Sequence, residues 1–210
     1  LDTQESFEAA EFYSHLLRDY APSGVLSFPF AQMMQFMKMG KANYTTFNHA
    51  MLLPLGDEGS KVRNTVNFDM MPAGPAGAFP GCASHAWGIP TGSKKKDAAW
   101  EFIKWSLGKG LLKRMLVDKG YGAITRKSII QSPEFKKKNL VNGVDLADLY
   151  MRTIDIAASG YMVYRTIHVY PQVDQQINKA IELVTSNQMS AEKAMKQAQE
   201  NSIRELKRAG

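Results

Sequence analysis

Trp87 has the most pointed binding chemistry of any side chain in these 210 residues. An indole offers a flat apolar face that stacks on the C–H side of a sugar ring. The same residue type also serves as a half-buried core tryptophan, and the sequence leaves both readings open. Trp87 lies in the stretch SHAWG (84–88) with Ser84 and His85. His85 is able to donate or accept a hydrogen bond, or to fill space and narrow a pocket. Asn48, followed by His49, has donors and acceptors that suit vicinal hydroxyls. An asparagine there can equally satisfy its own turn. The segment YMVYRTIHVYP (161–171) contributes Tyr164, Arg165 and Tyr170. The guanidinium fork of Arg165 matches a carboxylate, a phosphate or a diol. A surface arginine and packed tyrosines are the plainer alternatives.

Catalytic patterns are missing. His15, His49, His85 and His168 have no metal-ligand spacing, and a His49–His85 pair lacks a third ligand. The loop PAGPAG (72–77) has no Gly-x-x-x-x-Gly-Lys pattern, and no serine sits in a nucleophile elbow. The expectation is a non-enzyme with no cofactor and no metal. Cys82 is the single cysteine, which excludes an intramolecular disulfide and a paired-cysteine metal site; it reads as a small apolar residue. The net charge of +6 raises nucleic-acid binding as a possibility. The basic residues alternate with acids, however, and the runs Lys94–Lys96 and Lys136–Lys138 fit a solvated face better, so no nucleic-acid partner is expected. No apolar run approaches the ~18 residues of a membrane span.

These side chains must be positioned by a helix-rich α/β fold. The length suits one good-sized domain with room for a small appendage. Apolar periodicity and capping residues predict helices over 3–20 (Asp2 as cap), 28–40, 97–107 (Ser93 as cap), 111–119, 132 onward with Pro133 in the first turn, 146–158, 172–186 and 190–207. In the helix over 97–107, Ala98, Ala99, Phe102, Ile103 and Leu107 recur at core spacing. Strands are expected at 43–47, 66–70 and 83–89, and a Pro/Gly/Ala-rich loop at 72–81.

The stretch GIPTGSKKKDAAWEFIKWSL (88–107) closely resembles "GIPKGSKNKDAAWEFIKWL", a signature of the family 1 extracellular solute-binding proteins, the maltose-binding-protein-like receptors of ABC importers. The opening LDTQESFEAAEFY (1–13), YAPSGV (20–25), MGKANY (39–44), MPAGPAG (71–77), GYGAITR (120–126) and MSAEKAMKQAQ (189–199) are similar to further stretches of that family, in family order. The resemblance covers the chain but only about the C-terminal half of a usual member. It implies a type II periplasmic-binding-protein-like fold, mostly the second lobe. Residues 1–84 would belong to that lobe, 85–128 would cross into the first, and 129–210 would return. It implies a receptor for a solute, a sugar or polyol by analogy, that delivers ligand to a membrane permease by clamshell closure. Such a protein is periplasmic, or membrane-associated outside a single-membrane cell. Any leader would lie upstream, since the chain opens on a helix cap. The resemblance also places Ser84, His85 and Trp87, the 48–50 turn and the 161–171 segment at the cleft. His85 and Ala86 replace paired glycines, and Asn48 stands where an aromatic is common. The alternative is an interaction or structural domain that has lost ligand binding with the missing first lobe. As a fragment, the chain would leave the helix over 97–107 without its packing partner, and that apolar face would favour self-association.

Overall fold

The computed structural model describes residues 1–82, 85–119, 124–161 and 166–209. The chain divides into two compact units, one built from Leu1–Met33 with Val163–Gly210, the other from Met34–Met162.

In the first unit, α1 (Gln4–Asp19), α8 (Tyr170–Thr185) and α9 (Ala191–Ala209) pack together. Their shared core is Ala10, Ala180, Val184, Ala191, Ala194, Met195 and Ala198, with Phe7 and Ile181 against it. The many alanines let the helix backbones approach closely. The cap of α1 is Thr3, one residue beyond the expected Asp2; its hydroxyl accepts from the Ser6 amide at 3.3 Å. The turn between α8 and α9 closes on Asn187, in the left-handed region at φ 56°. The Asn187 amide donates to the Val184 carbonyl and the Gln188 amide to the Leu183 carbonyl, which satisfies the orphan acceptors of α8.

The second unit holds two apolar clusters. Met34 and Met37 of α2 (Phe30–Lys38) meet Leu55, with Phe47, Met51, Val62, Val66 and Phe68 around them. The other cluster joins α4 (Lys109–Lys119), α5 (Lys127–Ile130), α6 (Pro133–Lys138) and α7 (Leu146–Ala157) through Leu112, Leu116, Ile124, Ile129, Ile130, Phe135 and Ala147. Ser132 caps α6 with Pro133 in its first turn, as its sequence predicts. Asp145 caps α7, accepting from the amides of Ala147 and Asp148.

Among the described residues the β-structure is one hairpin, β1 (Leu140–Val141) and β2 (Val144–Asp145), joined by Asn142 and Gly143 at φ 52° and 80°. The expected strands at 43–47 and 66–70 are extended segments instead, and 85–89 is likewise irregular. The period-two burial is there: Thr45 and Phe47 turn inward while Tyr44 and Thr46 are exposed, and Val66, Phe68 and Met70 alternate with Asn67 and Asp69. What fails is the ladder. The Phe68 and Met70 amides donate to the side chains of Asn67 and Asp69 at 2.9 and 2.7 Å rather than to a neighbouring strand.

Candidate functional site

The helix of the signature stretch is α3 (Lys96–Ser106). Ser93 does not cap it: the Ser93 hydroxyl accepts from the Lys95 amide at 3.2 Å, closing a turn ahead of the helix, and the cap position is Lys95. No residue of α3 is buried. Ala99 and Ile103 are partly covered, as their spacing predicts, but Ala98, Phe102 and Leu107 are exposed.

Part of that exposed face is aromatic. The Trp87 ring lies 5.4 Å from Phe102 at an interplanar angle of 63°, and Phe102 lies 5.8 Å from Trp105 at 43°. Phe102 and Trp105 are three residues apart on α3, so the helix itself sets them side by side. All three remain open to solvent: 58% for Trp87, 48% for Phe102 and 62% for Trp105. Trp87 is therefore not a half-buried core residue. Sequence reasoning assigned Phe102 to the core and passed over Trp105; the i, i+3 aromatic pair next to Trp87 was the available signal. Such a surface offers apolar stacking to C–H groups rather than proton transfer.

His85, two residues before Trp87 in the chain, is exposed. Asn48 precedes a 3₁₀ turn, His49–Met51, and its carbonyl accepts from the Met51 amide at 3.0 Å. Its side chain makes no cap bond and is exposed, so its amide is not spent on its own turn. His49 points the other way. Its ring stacks on Tyr150 at 4.5 Å and 16°, with Phe135 at 6.3 Å and 18°. Its ring nitrogens are buried and meet no hydrogen-bond partner. Burial lowers its pKa from 6.5 to about 4; the Leu146 backbone and the Asn139 side chain act in the opposite sense and more weakly. His49 is therefore neutral at pH 7 and supports the fold around Phe135. Tyr170 opens α8, and its hydroxyl donates to Asp174 at 3.1 Å, one turn on. Ser84, Tyr164 and Arg165 lie outside the described residues. Trp87 is thus the expected site residue that the fold joins to side chains of matching chemistry, whereas it joins His49 to the core.

Among the described residues no three His, Cys, Asp or Glu side chains form a metal-holding group, and no helix is long and apolar enough to cross a membrane. Cys82 is exposed.

The chain belongs to the bacterial extracellular solute-binding proteins, whose family model matches residues 17–142. Along 97% of its length it is also similar to the mannitol-binding protein of Pseudomonas aeruginosa, with 26% identity over 217 aligned positions. The alignment covers 49% of that relative, so the chain spans about half its length.

Proposed function

We propose that this chain is the C-terminal half of a sugar or polyol receptor that works outside the cytoplasmic membrane and hands its ligand to the permease of an ABC transporter. One observation carries the reading: a mannitol-binding protein is similar along nearly the whole chain. Trp87 stacks on the carbon skeleton of the ligand, with His85 and Asn48 addressing hydroxyls. Ser84, Tyr164, Arg165 and Tyr170 complete the proposed contacts, and His49 supports the Asn48 turn from the core side. Residues 85–128 belong to the first lobe and the flanking segments to the second. Ligand favours the closed clamshell because both lobes hold it at once, and that differential affinity is the signal that the permease reads. Binding, not covalent chemistry, is the whole task.

A thermal-shift panel on the protein carrying this sequence tests the ligand class. Hexitols and monosaccharides should raise the melting temperature in a concentration-dependent way, since a ligand that binds only the folded state stabilises it. Amino acids should not. A shift with amino acids alone would sink the proposal.

A further inference from the structure

We propose that the Met34–Met162 unit carries a second binding site, for the phosphomonoester of a sugar or polyol, in a cavity of about 440 Å³ between the 53–64 segment and the β1–β2 hairpin. None of Asn48, His85 and Trp87 lines it, so it stands apart from the solute site proposed above. The volume falls within the roughly 300–1,000 Å³ of small-molecule sites.

Arg63 and Lys138 both line this cavity. Neither makes an ion pair among the described residues, although Arg18, Lys38, Lys104, Lys113, Arg114, Arg152, Lys196 and Arg208 all do. The one carboxylate of the lining, Asp57, faces Lys38 at 3.7 Å. The cavity therefore keeps an excess of positive charge, and Arg63 adds a planar fork that fits phosphate oxygens. Lys138 ends a three-lysine run that would otherwise pass for a solvated helix face. Asn64 and Asn142 line the same space. The Asn142 amide nitrogen is committed to the Val66 carbonyl at 2.8 Å, which leaves its oxygen to accept from a hydroxyl. Asn64 supplies both donor and acceptor. Cations for the phosphate beside amides for hydroxyls match an ester better than a bare anion.

The walls are fixed. Asn142 and Gly143 hold the left-handed backbone of a tight hairpin turn, and the Asn142–Val66 bond ties the hairpin tip to the 62–66 turn. Gly56 sits so close to Val141 that an added Cβ would lie 2.9 Å from its Cγ1. The Asn142 amide is thus held in place before a ligand arrives, which lowers the cost of ordering it.

Isothermal titration of the 210-residue chain with mannitol 1-phosphate, inorganic phosphate and mannitol, at low and raised salt, tests the site. The ester should bind at least about tenfold more tightly than either other probe, the scale of one well-made charge-assisted contact. Arg63→Gln and Lys138→Gln should each weaken the ester about tenfold, with an unchanged melting temperature because both side chains are exposed and unpaired. Asn64→Asp, which adds a negative charge to the wall, should weaken it similarly; Trp87→Ala should leave it unchanged. Equal affinity for the ester and for mannitol, or ester binding that survives all three cavity substitutions, would overturn the proposal. Ester affinity no higher than that of inorganic phosphate would overturn its polyol component. The solute reading is tested separately, by mannitol binding to the full-length protein, so its failure there would leave this cavity standing.

Discussion

The two most informative residues separate by where their rings go. The sequence leaves Trp87 open between a core and a stacking residue, and its exposure against Phe102 removes the core reading. Replacing Trp87 with alanine in the protein carrying this sequence should weaken polyol binding by about 1–3 kcal/mol, the scale of a lost aromatic contact. Calorimetric titration of wild type and variant measures it, and equal affinity with intact fold would remove Trp87 from the site. His49 was not legible. Its role follows from tertiary neighbours, Phe135 and Tyr150, that stand far from it in sequence. It has a pH signature. Its pKa is lowered from 6.5 to about 4 in the fold, so as pH falls the unfolded chain takes the proton first. The stability it contributes is complete above about pH 6.5, drains away between about 6.5 and 4, and stays lost below that. The full loss amounts to about 3 kcal/mol. Urea unfolding at pH 7 and pH 4.5 should show that decline in wild type and a smaller one in His49→Phe, which keeps the stacking without the titration. Identical declines would rule out His49 as the source.

At the scale of elements, helices were readable and strands were not. A helix satisfies its amides internally, so spacing and caps suffice: Ser132 with Pro133 at α6, and the 3.6-residue rhythm of α8 and α9, report local facts. The extent of α1 was readable but its buried face was not: Phe12, Tyr13 and Leu16 recur at core spacing yet are exposed, and the helix buries Ala10 and Ser14. A strand needs a partner. The alternation at 43–47 and 66–70 was real, but alternation describes one side-chain face and cannot supply the neighbour that makes a ladder. The α3 cap failed for a related reason: a serine two residues early closed its own turn with Lys95. The β1–β2 hairpin was missed because two-residue strands carry too little pattern, and its evidence lies in the Asn142-Gly143 pair. The fit of that hairpin against the 53–56 turn is testable. Gly56→Ala would push a methyl to 2.9 Å from Val141 Cγ1, with Cγ2 and Cβ of the same stiff β-branched side chain at 3.4 and 3.8 Å, and should cost about 1–3 kcal/mol. Gly59→Ala, where nothing lies within 4 Å, should change stability by no more than about 0.5 kcal/mol. Denaturant unfolding of the two variants compares them; equal effects would refute the close packing.

For the molecule as a whole, family membership comes from the match over residues 17–142, and the proposed solute class rests on a relative of which this chain spans about half. An α3 with no buried residue, with Trp100, Phe102 and Trp105 exposed on it and Trp87 exposed beside it, is what a ligand or a further protein surface would cover. A polar ligand needs walls that exclude water, because each hydroxyl otherwise trades one hydrogen bond for another and little net affinity results. The residues that would supply hydroxyl contacts, Asn48 and His85, are exposed within these 210 residues. The receptor reading therefore expects strong binding only in the longer protein. Isothermal titration of mannitol into the full-length protein that contains this sequence, with the 210-residue chain alongside, is the most direct test. The account predicts saturable one-to-one binding by the full-length protein, with a Kd of about micromolar, and affinity weaker than about 1 mM for the 210-residue chain alone. Full-length protein that binds neither mannitol nor any related polyol or sugar, or a 210-residue chain that binds mannitol just as tightly, would contradict it.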